Sequence, residues 1–334
     1  MHSISIIVPC LNEEKYIQSC IESIVKSDVD FNQSEIIFID GGSEDRTVEI
    51  IETYTTQYSY IKLLHNPKKF TPISMNMGIE ASFGEYIFII SAHAKYEKSY
   101  FSKLTQQIKI LNANCVGGVL TTKVKNKNKK SNSIREILTH RFGVGDADFR
   151  TGSPHIKEVD TVAFGCYTKE TFEKYGLYNE RLIRNQDIEL NKRIVNGGGK
   201  IYLIPEVEAV YYARENFKDL AKNNFSNGKW NILTAYYTKT LSSLSLRHFI
   251  PLLFVLSLIV PMVFSLINLN FLWIGALSLG SYLALVIISS LKSRDSENNF
   301  FYLVMSFLTL HISYGFGSLM GIFSLIKRVI KGIK

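Results

Sequence analysis

The sequence predicts an α/β fold built on a mostly parallel sheet, followed by a C-terminal region of apolar helices. In the N-terminal part, runs rich in isoleucine and phenylalanine alternate with amphipathic helical patterns, which favours parallel strands joined by right-handed crossovers. Small or polar residues follow directly on two of these runs. In the C-terminal part, three apolar stretches are each long enough to span a bilayer.

Length, charge and cysteine content narrow the class of protein. A chain of 334 residues can bury a full core without disulfide bonds or metal ions. Its four cysteines include no C-x-x-C pair, which fits a reduced cytoplasmic setting. The net charge of +8 suits a protein on an anionic membrane surface, and no motif of interleaved aromatic and basic residues supports nucleic-acid binding. The N-terminal MHSISIIVPC lacks a cationic segment and is interpreted as a first strand, not a signal peptide.

The first elements follow from hydrophobic periodicity. Strands are predicted at Ser5–Val8, Glu35–Ile39, Ile61–Leu64 and Tyr86–Ile90. Helices are predicted at Ile17–Val25, Thr47–Tyr54 and Ser74–Phe83. Pro9 is expected to close the first strand, because proline cannot donate to a β-ladder. Asn12 and Ser43 are expected to cap the first two helices.

The strand Tyr86–Ile90 ends abruptly in Ser91, Ala92 and His93. Open α/β sheets bind ligands at the carboxyl edge of their parallel strands, and Asp40 follows the second strand at the same edge. We therefore expect a nucleotide-binding site there. The alternative for Asp40 is a turn residue before two glycines, but the run D-G-G-S-E-D-R-T is unusual for a simple turn.

The middle of the chain offers weaker patterns. The lysine-rich residues 121–135 are interpreted either as a solvated loop or as a basic loop near a phosphate-bearing or membrane-bound acceptor. An amphipathic helix is predicted at Ile134–Phe142. Val159–Gly176 is expected to form a short strand, a turn at Gly165 and a helix that ends at Gly176.

A further helix and strand complete the predicted sheet region. Asn185 is expected to cap a helix that carries Asp187 in its first turn, where the helix dipole favours a carboxylate that can point into a cleft. A capping role alone is the alternative for Asp187. A strand is predicted at Lys200–Tyr212, interrupted by Pro205.

The apolar stretches are Phe249–Ile267, Phe271–Leu291 and Phe300–Ile326. They divide the chain into a sheet domain at 1–232, an interfacial linker helix at 233–248 and a transmembrane region at 249–334. Three crossings would place the basic C-terminus opposite the sheet domain, against the positive-inside tendency, and a re-entrant first segment would remove this conflict. His311 lies within the last stretch, as a functional group or as a packing residue beside small glycines.

Four motifs carry a resemblance to a known family. They are P-C-L-N-E-E (9–14), D-G-G-S-E-D-R-T (40–47), N-M-G-I-E-A-S-F-G-E-Y-I (76–87) and N-Q-D-I-E-L-N-K-R (185–193). Together, over residues 3–232, they resemble family 2 glycosyltransferases, which have the GT-A fold and invert configuration. The segments F-T-P-I-S-M-N-M-G-I, S-A-H-A-K-Y and H-I-S-Y-G-F-G are similar to the branch of succinoglycan-type glucosyltransferases, which extend polyprenyl-diphosphate-linked oligosaccharides.

The resemblance assigns roles to individual residues. Those that match family positions around the nucleotide-sugar are Pro9, Asn12, Glu13, Asp40, Ser43, Asn76, Ser91, Gly165 and Cys166. Lys229 and Trp230, which stand where the family motif is missing, are further candidates for the donor site; Lys229 is interpreted either as neutralising diphosphate charge or as a membrane-surface lysine. Among the matching positions, Asp40 matches the aspartate that hydrogen-bonds the base. His93 occupies a position of the metal-binding D-x-D motif, and Asp187 matches the catalytic base.

The sequence departs from the family pattern in three places. Ser91 and His93 replace both carboxylates of D-x-D, and an imidazole suits softer metals than Mg²⁺, so dependence on Mn²⁺ or Mg²⁺ is expected from the family but weakened. Gln186 stands where glutamate is usual before Asp187. Residues 224–230, with Lys229 and Trp230, replace the Q-x-x-R-W motif of processive synthases, so a non-processive enzyme is expected.

The resemblance implies an inverting transferase at the cell membrane, multi-pass and with its catalytic domain in the cytoplasm. It would move a sugar from a nucleotide-diphosphate sugar, with UDP expected, to a polyprenyl-diphosphate-linked saccharide. A polyprenyl-monophosphate acceptor is one alternative, and an inactive nucleotide-sugar binder in an assembly is another. A transporter is excluded, because the apolar stretches contain few polar groups that could form a pathway.

Overall fold

The computed structural model describes residues 3–145, 148–239 and 246–330, with the side chain of Val329 left out. It divides into two compact units. The sheet unit comprises Met1–Thr121 and Asp148–Tyr212, and the helical unit comprises Thr122–Ala147 and Ala213–Lys334. The predicted linker helix at 233–248 includes residues 240–245, which lie outside the described part of the chain. The predicted boundary at residue 232 falls inside a continuous helix of the helical unit.

The described residues of the sheet unit form one mixed sheet. Its strands are β1 Ile4–Cys10, β2 Glu35–Asp40, β3 Ile61–His65, β4 Tyr86–Ile89, β5 Ala94–Tyr96, β6 Cys115–Lys123, β7 Lys157–Glu158, β8 Cys166–Thr168 and β9 Ile201–Tyr212. The order across the sheet is β3-β2-β1-β4-β8-β6-β9-β5, and β7 pairs with β9. The helices of this unit are α1 Ile17–Val25, α2 Thr47–Gln57, α3 Thr71–Ala81, α4 Tyr100–Ile110, α7 Asp148–Thr151, α8 Lys169–Tyr175 and α9 Gln186–Asn196.

The helical unit contains the remaining helices. These are α5 Lys129–Ile137, α6 Arg141–Val144, α10 Phe217–Thr238, α11 Ile250–Phe264, α12 Phe271–Lys292 and α13 Phe300–Ile330, with a short 3-10 helix at Leu246–Phe249 before α11. Three segments, Leu246–Phe264, Phe271–Lys292 and Phe300–Arg328, are long and apolar enough to cross a membrane.

The predicted α/β fold with a mostly parallel N-terminal half is confirmed. Strand β1 lies between β2 and β4 and pairs in parallel with both, so that Ile6 faces Ile36 on one side and Phe88 on the other. Both faces of these strands are covered by buried apolar clusters, which explains why their sequences are mostly hydrophobic. The other half of the sheet is antiparallel, with β8 pairing with β4 and β5 pairing with β9. The sequence predicted a strand near β8 and one at β9, but neither their antiparallel pairing nor the strands β5 and β6.

Two predicted helix caps are wrong, because the side chains bond elsewhere. The residue before α1 is Tyr16, and Asn12 instead has a left-handed φ of 56° and accepts a hydrogen bond from the Glu44 amide at 2.8 Å. The residue before α2 is Arg46. Ser43 donates its hydroxyl to Asp40 Oδ1 at 2.6 Å. Both side chains therefore stabilise loops rather than helix ends.

Prolines and short elements account for the other differences in secondary structure. Pro9 lies inside β1 instead of closing it. The ladder between β1 and β4 ends at Ile7, so β4 needs no N–H donor from Pro9. Pro205 likewise lies within the continuous strand β9. The strand near Gly165 follows that glycine as β8, while the helix that ends at Gly176 is confirmed. The helix predicted at Ile134–Phe142 is divided between α5 and α6.

His311 joins elements of the helical unit. Its Nδ1 lies 3.1 Å from the Tyr282 hydroxyl of α12, and its Nε2 lies 2.8 Å from the Phe142 carbonyl oxygen of α6. Because a carbonyl only accepts, Nε2 carries the proton and Nδ1 accepts from tyrosine. Both ring nitrogens are therefore used in packing, which supports the packing interpretation of this residue.

Glycines bring α10 and α13 into backbone contact. A Cβ atom on Gly228 of α10 would overlap the Tyr314 carbonyl oxygen, and one on Gly317 of α13 would overlap the Phe225 carbonyl oxygen. A backbone carbonyl oxygen cannot move aside unless its whole helix moves, so only glycine fits at these two positions.

We expect Gly228→Ala to destabilise the protein by about 1–3 kcal/mol, because the added methyl group must push α10 away from α13. Gly280→Ala is the matched control, since a Cβ at Gly280 of α12 meets no heavy atom within 4 Å. It should gain up to about 1 kcal/mol from helix propensity. Thermal unfolding in detergent measures both, and equal melting temperatures would contradict the close packing.

Candidate active site

A cavity of about 370 Å³ opens at the carboxyl ends of the central parallel strands. One wall follows β1 and includes Pro9, Cys10, Leu11 and Glu13, together with Gly41 after β2. A second wall follows β4 with Ser91 and His93. The facing walls are formed by three groups of residues. These are Lys69, Thr71, Ser74 and Met75 near α3; residues 162–165 with Tyr167, Tyr178, Gln186 and Asp187; and Tyr211 of β9. This is the sheet edge at which the sequence predicted a ligand site.

The loops that follow β1 and β2 hold each other in place. The amides of Asn12 and Glu13 donate to Ser43 Oγ at 2.9 Å and to Thr47 Oγ1 at 2.7 Å. In the opposite direction, the Glu44 amide donates to Asn12 Oδ1. The two motifs P-C-L-N-E-E and D-G-G-S-E-D-R-T are therefore one hydrogen-bonded loop pair, and their polar residues serve local structure as well as any ligand.

Asp40 lies beneath this loop pair. It is only 3% exposed, and its carboxylate accepts from the amide of Gly42 at 2.9 Å and from the amide and hydroxyl of Ser43. Its left-handed neighbour Gly42 has a φ of 85°. Asp40 therefore orders the turn in this structure, and its role towards a base stays a prediction.

Glu13 and His93 form a pair across the cavity wall. Glu13 Oε1 lies 3.0 Å from His93 Nδ1, and Ser91 Oγ lies 3.3 Å from the same nitrogen. Antiparallel pairing of β5 with β9 places Tyr211 next to His93, with ring centroids 5.3 Å apart, and Tyr16 lies 6.3 Å away on the other side. A carboxylate only accepts, so Nδ1 carries a proton and Nε2 is the nitrogen left for a ligand.

The residues at the D-x-D positions fit a divalent metal poorly. Within the described residues, no group of three or more histidine, cysteine or acidic side chains is placed to hold one. His93 offers a single ligand atom, whereas Mg²⁺ and Mn²⁺ prefer several oxygen ligands. Glu13, the nearest carboxylate, is already paired with the histidine. The described residues at these positions therefore lack the set of oxygen ligands that Mg²⁺ or Mn²⁺ prefers.

Asp187 borders the cavity from the first turn of α9. Asn185 is the residue before this helix, as predicted, although its own side chain makes no capping bond and its φ is 62°. The Asp187 carboxyl has solvent-accessible surface through the cavity, yet protein surrounds it closely, and this desolvation raises the pKa of Asp187 above its usual value. The amide of Ile188 and the charge of Arg150 partly oppose the shift. A carboxylate with a raised pKa in a cleft is a typical proton acceptor.

Gln186 adds a polar atom beside Asp187. Its Oε1 atom is buried and has no hydrogen-bond partner among the described residues. An acceptor buried without a partner costs stability, which a bound hydroxyl would recover. Gln186 lines the same cavity.

The other predicted residues have different positions. Gly165 lines the cavity, and a Cβ there would come within 2.9 Å of Cys115 Sγ, whereas Cys166 is fully buried in β8. Asn76 is buried and bonds the main chain of Tyr178 in both directions at 2.9 Å. Lys229 and Trp230 belong to α10 of the helical unit.

Three residues around the cavity, Lys69, Arg150 and Tyr211, were not predicted from the sequence. Lys69 has a left-handed φ of 65°, and its side chain lies over Gly42. Arg150 of α7 lies 5.2 Å above the ring of Tyr211. Lys69 could have been found, since it follows the third parallel strand at the same sheet edge. Tyr211 could not, because antiparallel pairing of β5 and β9 brings it there.

Comparisons with known proteins agree with this architecture. The model of a family described as glycosyl transferase family 2 matches residues 5–169. Over 239 residues, the chain is 30% identical to dolichyl N-acetyl-alpha-D-glucosaminyl phosphate 3-beta-D-2,3-diacetamido-2,3-dideoxy-beta-D-glucuronosyltransferase of Methanococcus voltae, covering 68% of this chain and 72% of that protein. It is 28% identical over 250 residues to succinoglycan biosynthesis protein ExoA of Rhizobium meliloti, covering 74% of each chain.

A solved structure shows the same fold. The crystal structure of GalNAc-T7 with UDP, GalNAc and Mn²⁺ superposes with a TM-score of 0.51 at 15% identity, covering 64% of this chain and 44% of that one. At this identity the likeness concerns the fold alone. With the family match and the Methanococcus voltae relative, it leads to one conclusion: the chain belongs to glycosyl transferase family 2 and is a glycosyltransferase of GT-A-like fold.

Proposed function

We propose that the protein transfers one sugar at a time, with inversion, from a UDP-sugar to a hydroxyl group of a lipid-linked saccharide, with Asp187 as the general base. The observation that carries this proposal is the position of Asp187 on the wall of the cavity at the carboxyl ends of β1 and β4. The name of the Methanococcus voltae relative, which acts on a dolichyl-phosphate-linked sugar, supplies the class of acceptor.

In this mechanism, the acceptor hydroxyl passes its proton to the Asp187 carboxylate as its oxygen attacks the anomeric carbon. A new carbon–oxygen bond forms on one face of the sugar, while the bond to the diphosphate breaks on the other, so an α-linked donor gives a β-linked product. The nucleoside diphosphate leaves with the bonding electron pair. Gln186 Oε1 accepts a hydroxyl hydrogen of a bound sugar, which removes its unpaired state.

A sugar hydroxyl is favoured over polyprenyl monophosphate as the attacking group. A phosphate oxygen is already anionic at neutral pH and needs no base, whereas a hydroxyl does. The raised pKa of Asp187 serves the hydroxyl reaction. We place the protein at the cell membrane with the sheet unit in the cytoplasm, where its four unpaired cysteines suit a reducing medium.

The experiment that tests the function measures UDP release from a panel of UDP-sugars, with detergent-purified protein and lipid extract. Lipid-dependent release from one donor, with a radiolabelled sugar appearing in the lipid fraction, is the expected result. UDP binding without any release would instead favour an inactive nucleotide-sugar binder. Release on addition of polyprenyl monophosphate alone would favour the monophosphate acceptor.

The pH dependence of transfer should reflect Asp187. Because the group must be deprotonated to act, kcat/KM should rise with pH through its pKa, and burial moves that pKa above the usual aspartate value of about 3.9. We therefore expect the acid limb of kcat/KM, measured with limiting acceptor, to lie at higher pH than an ordinary aspartate would give. A flat profile down to pH 4 would contradict a base with a raised pKa.

A further inference from the structure

The packing of the helical unit differs from what the hydropathy of its segments suggests. Composition alone allows each of the segments Leu246–Phe264, Phe271–Lys292 and Phe300–Arg328 to cross a membrane. A crossing helix, however, must be surrounded by lipid or by apolar protein through the hydrocarbon core, which is about 30 Å thick. The packing of α13 and the distribution of charges around it decide which description holds.

The first half of α13 packs against α5, a helix that carries charges. Leu303 and Phe307 share one apolar cluster with Ile134 and Ile137 of α5. Beside this cluster, Arg135 of α5 lies 3.6 Å from Glu297, just before α13. The start of α13 therefore lies close to water.

The second half of α13 packs against α10, which is polar. The backbone contacts at Gly228 and Gly317 fix this pairing, and Arg328 donates to the Tyr237 hydroxyl at 2.7 Å near the ends of both helices. Helix α10 carries the exposed residues Lys218 and Lys222. Helices with charged or polar residues thus accompany both halves of α13, which disfavours its passage through a bilayer.

Helices α11 and α12 form a hairpin with the opposite character. Ser257 and Ser278 meet at 2.6 Å and fix its antiparallel arms. Its connecting turn carries no charge and exposes Leu266 at 87% and Leu269 at 73%. The charged residues nearest to the hairpin, Arg247 and Lys292, lie at its open end. Helix α11, with 15 residues, is about 22 Å long, which is shorter than the hydrocarbon core.

We infer that the helical unit enters only one leaflet of the membrane and does not cross it. The acyl chains of that leaflet cover the exposed apolar surface of the α11–α12 hairpin, while α5, α10 and both ends of α13 stay on the same aqueous side. The basic groups Lys327 and Arg328 then lie on the side that carries the other basic residues of this unit, which removes the conflict with the positive-inside tendency. Anionic headgroups at that surface attract them.

The test places single cysteines and measures which membrane face exposes them. Native thiols give no background, because Cys10, Cys20, Cys115 and Cys166 are all buried, and burial raises their pKa values. The variants are Leu269→Cys at the hairpin turn, Met262→Cys on its arm, Ile330→Cys at the end of α13, and Ser296→Cys in the exposed loop before α13 as the reference. A membrane-impermeant maleimide is applied to right-side-out and to inside-out vesicles.

We expect Ser296→Cys and Ile330→Cys to be labelled in the same type of vesicle. Leu269→Cys and Met262→Cys should be labelled in neither type until detergent dissolves the membrane. Labelling of Leu269→Cys or Ile330→Cys in the type of vesicle that leaves Ser296→Cys unlabelled would show a crossing and overturn the inference. Labelling of both hairpin positions together with Ser296→Cys would place the hairpin in water and overturn it as well.

Discussion

Asp187→Asn should lower the rate of sugar transfer by a factor of about 10² to 10⁴, the usual contribution of a positioned general base. The amide keeps the size of the side chain but has no basic oxygen, so the acceptor hydroxyl would lose its proton acceptor. UDP affinity should stay within about threefold of the wild type, because the base acts on the acceptor and not on the nucleotide. Radiolabel transfer to lipid gives the rate, and titration calorimetry with UDP gives the affinity.

The control for this variant is Glu52→Gln, which makes the same change from carboxylate to amide at an exposed position of α2. It should transfer sugar at the wild-type rate. If Asp187→Asn lost UDP affinity in proportion to its rate, Asp187 would be a donor-binding or structural residue, and the assignment as base would be wrong. Unchanged melting temperatures of both variants would exclude unfolding as the cause.

Restoring the two carboxylates should make UDP binding depend on Mn²⁺. In the wild type, Glu13 is paired with His93 at 3.0 Å, and the described cavity provides no cluster of metal ligands. The double substitution Ser91→Asp with His93→Asp supplies oxygen ligands on both sides of Ala92 and releases Glu13 to join them. We expect UDP to bind this variant at least tenfold more tightly in Mn²⁺ than in EDTA, or about 1.4 kcal/mol. The wild type should change by less than about threefold.

The matched control is Ser91→Asn with His93→Asn, which reproduces the shape of the two carboxylates without their charge. It should bind UDP equally in Mn²⁺ and in EDTA. A tenfold effect of Mn²⁺ on the wild type would contradict this expectation and would show that His93, together with oxygens of the nucleotide, suffices to hold a metal. A tenfold effect on the control would point to a metal bound by the nucleotide alone.

The sequence predicted those parts of the fold that local residue patterns determine. Residues 36–39 and 86–90 are continuously apolar or aromatic because both faces of their strands are covered, and that pattern is visible without a structure. The first turn of α9, with Asp187, followed from a polar residue ahead of a helical stripe. By contrast, β8 and β5 are only three residues long, too short to show a period.

The candidate site was less predictable, because its contacts are long-range. The sequence placed Asp40 and His93 at the same sheet edge, but nothing local indicates that Glu13 and His93, 80 positions apart, share a hydrogen bond. Asn12 was expected to cap a helix. In the structure it has a left-handed φ and stabilises the loop pair instead. Family resemblance named these positions without explaining what each side chain contacts.

The loop pair that follows β1 and β2 has a consequence for how a ligand arrives. Main-chain amides of Asn12, Glu13 and Glu44 are bonded to side chains of the facing segment. This part of the cavity therefore has little conformational entropy left to lose when a nucleotide binds. On the proposed function it would act as a preformed receptor, and we expect association of the nucleotide there to require no ordering of this loop pair.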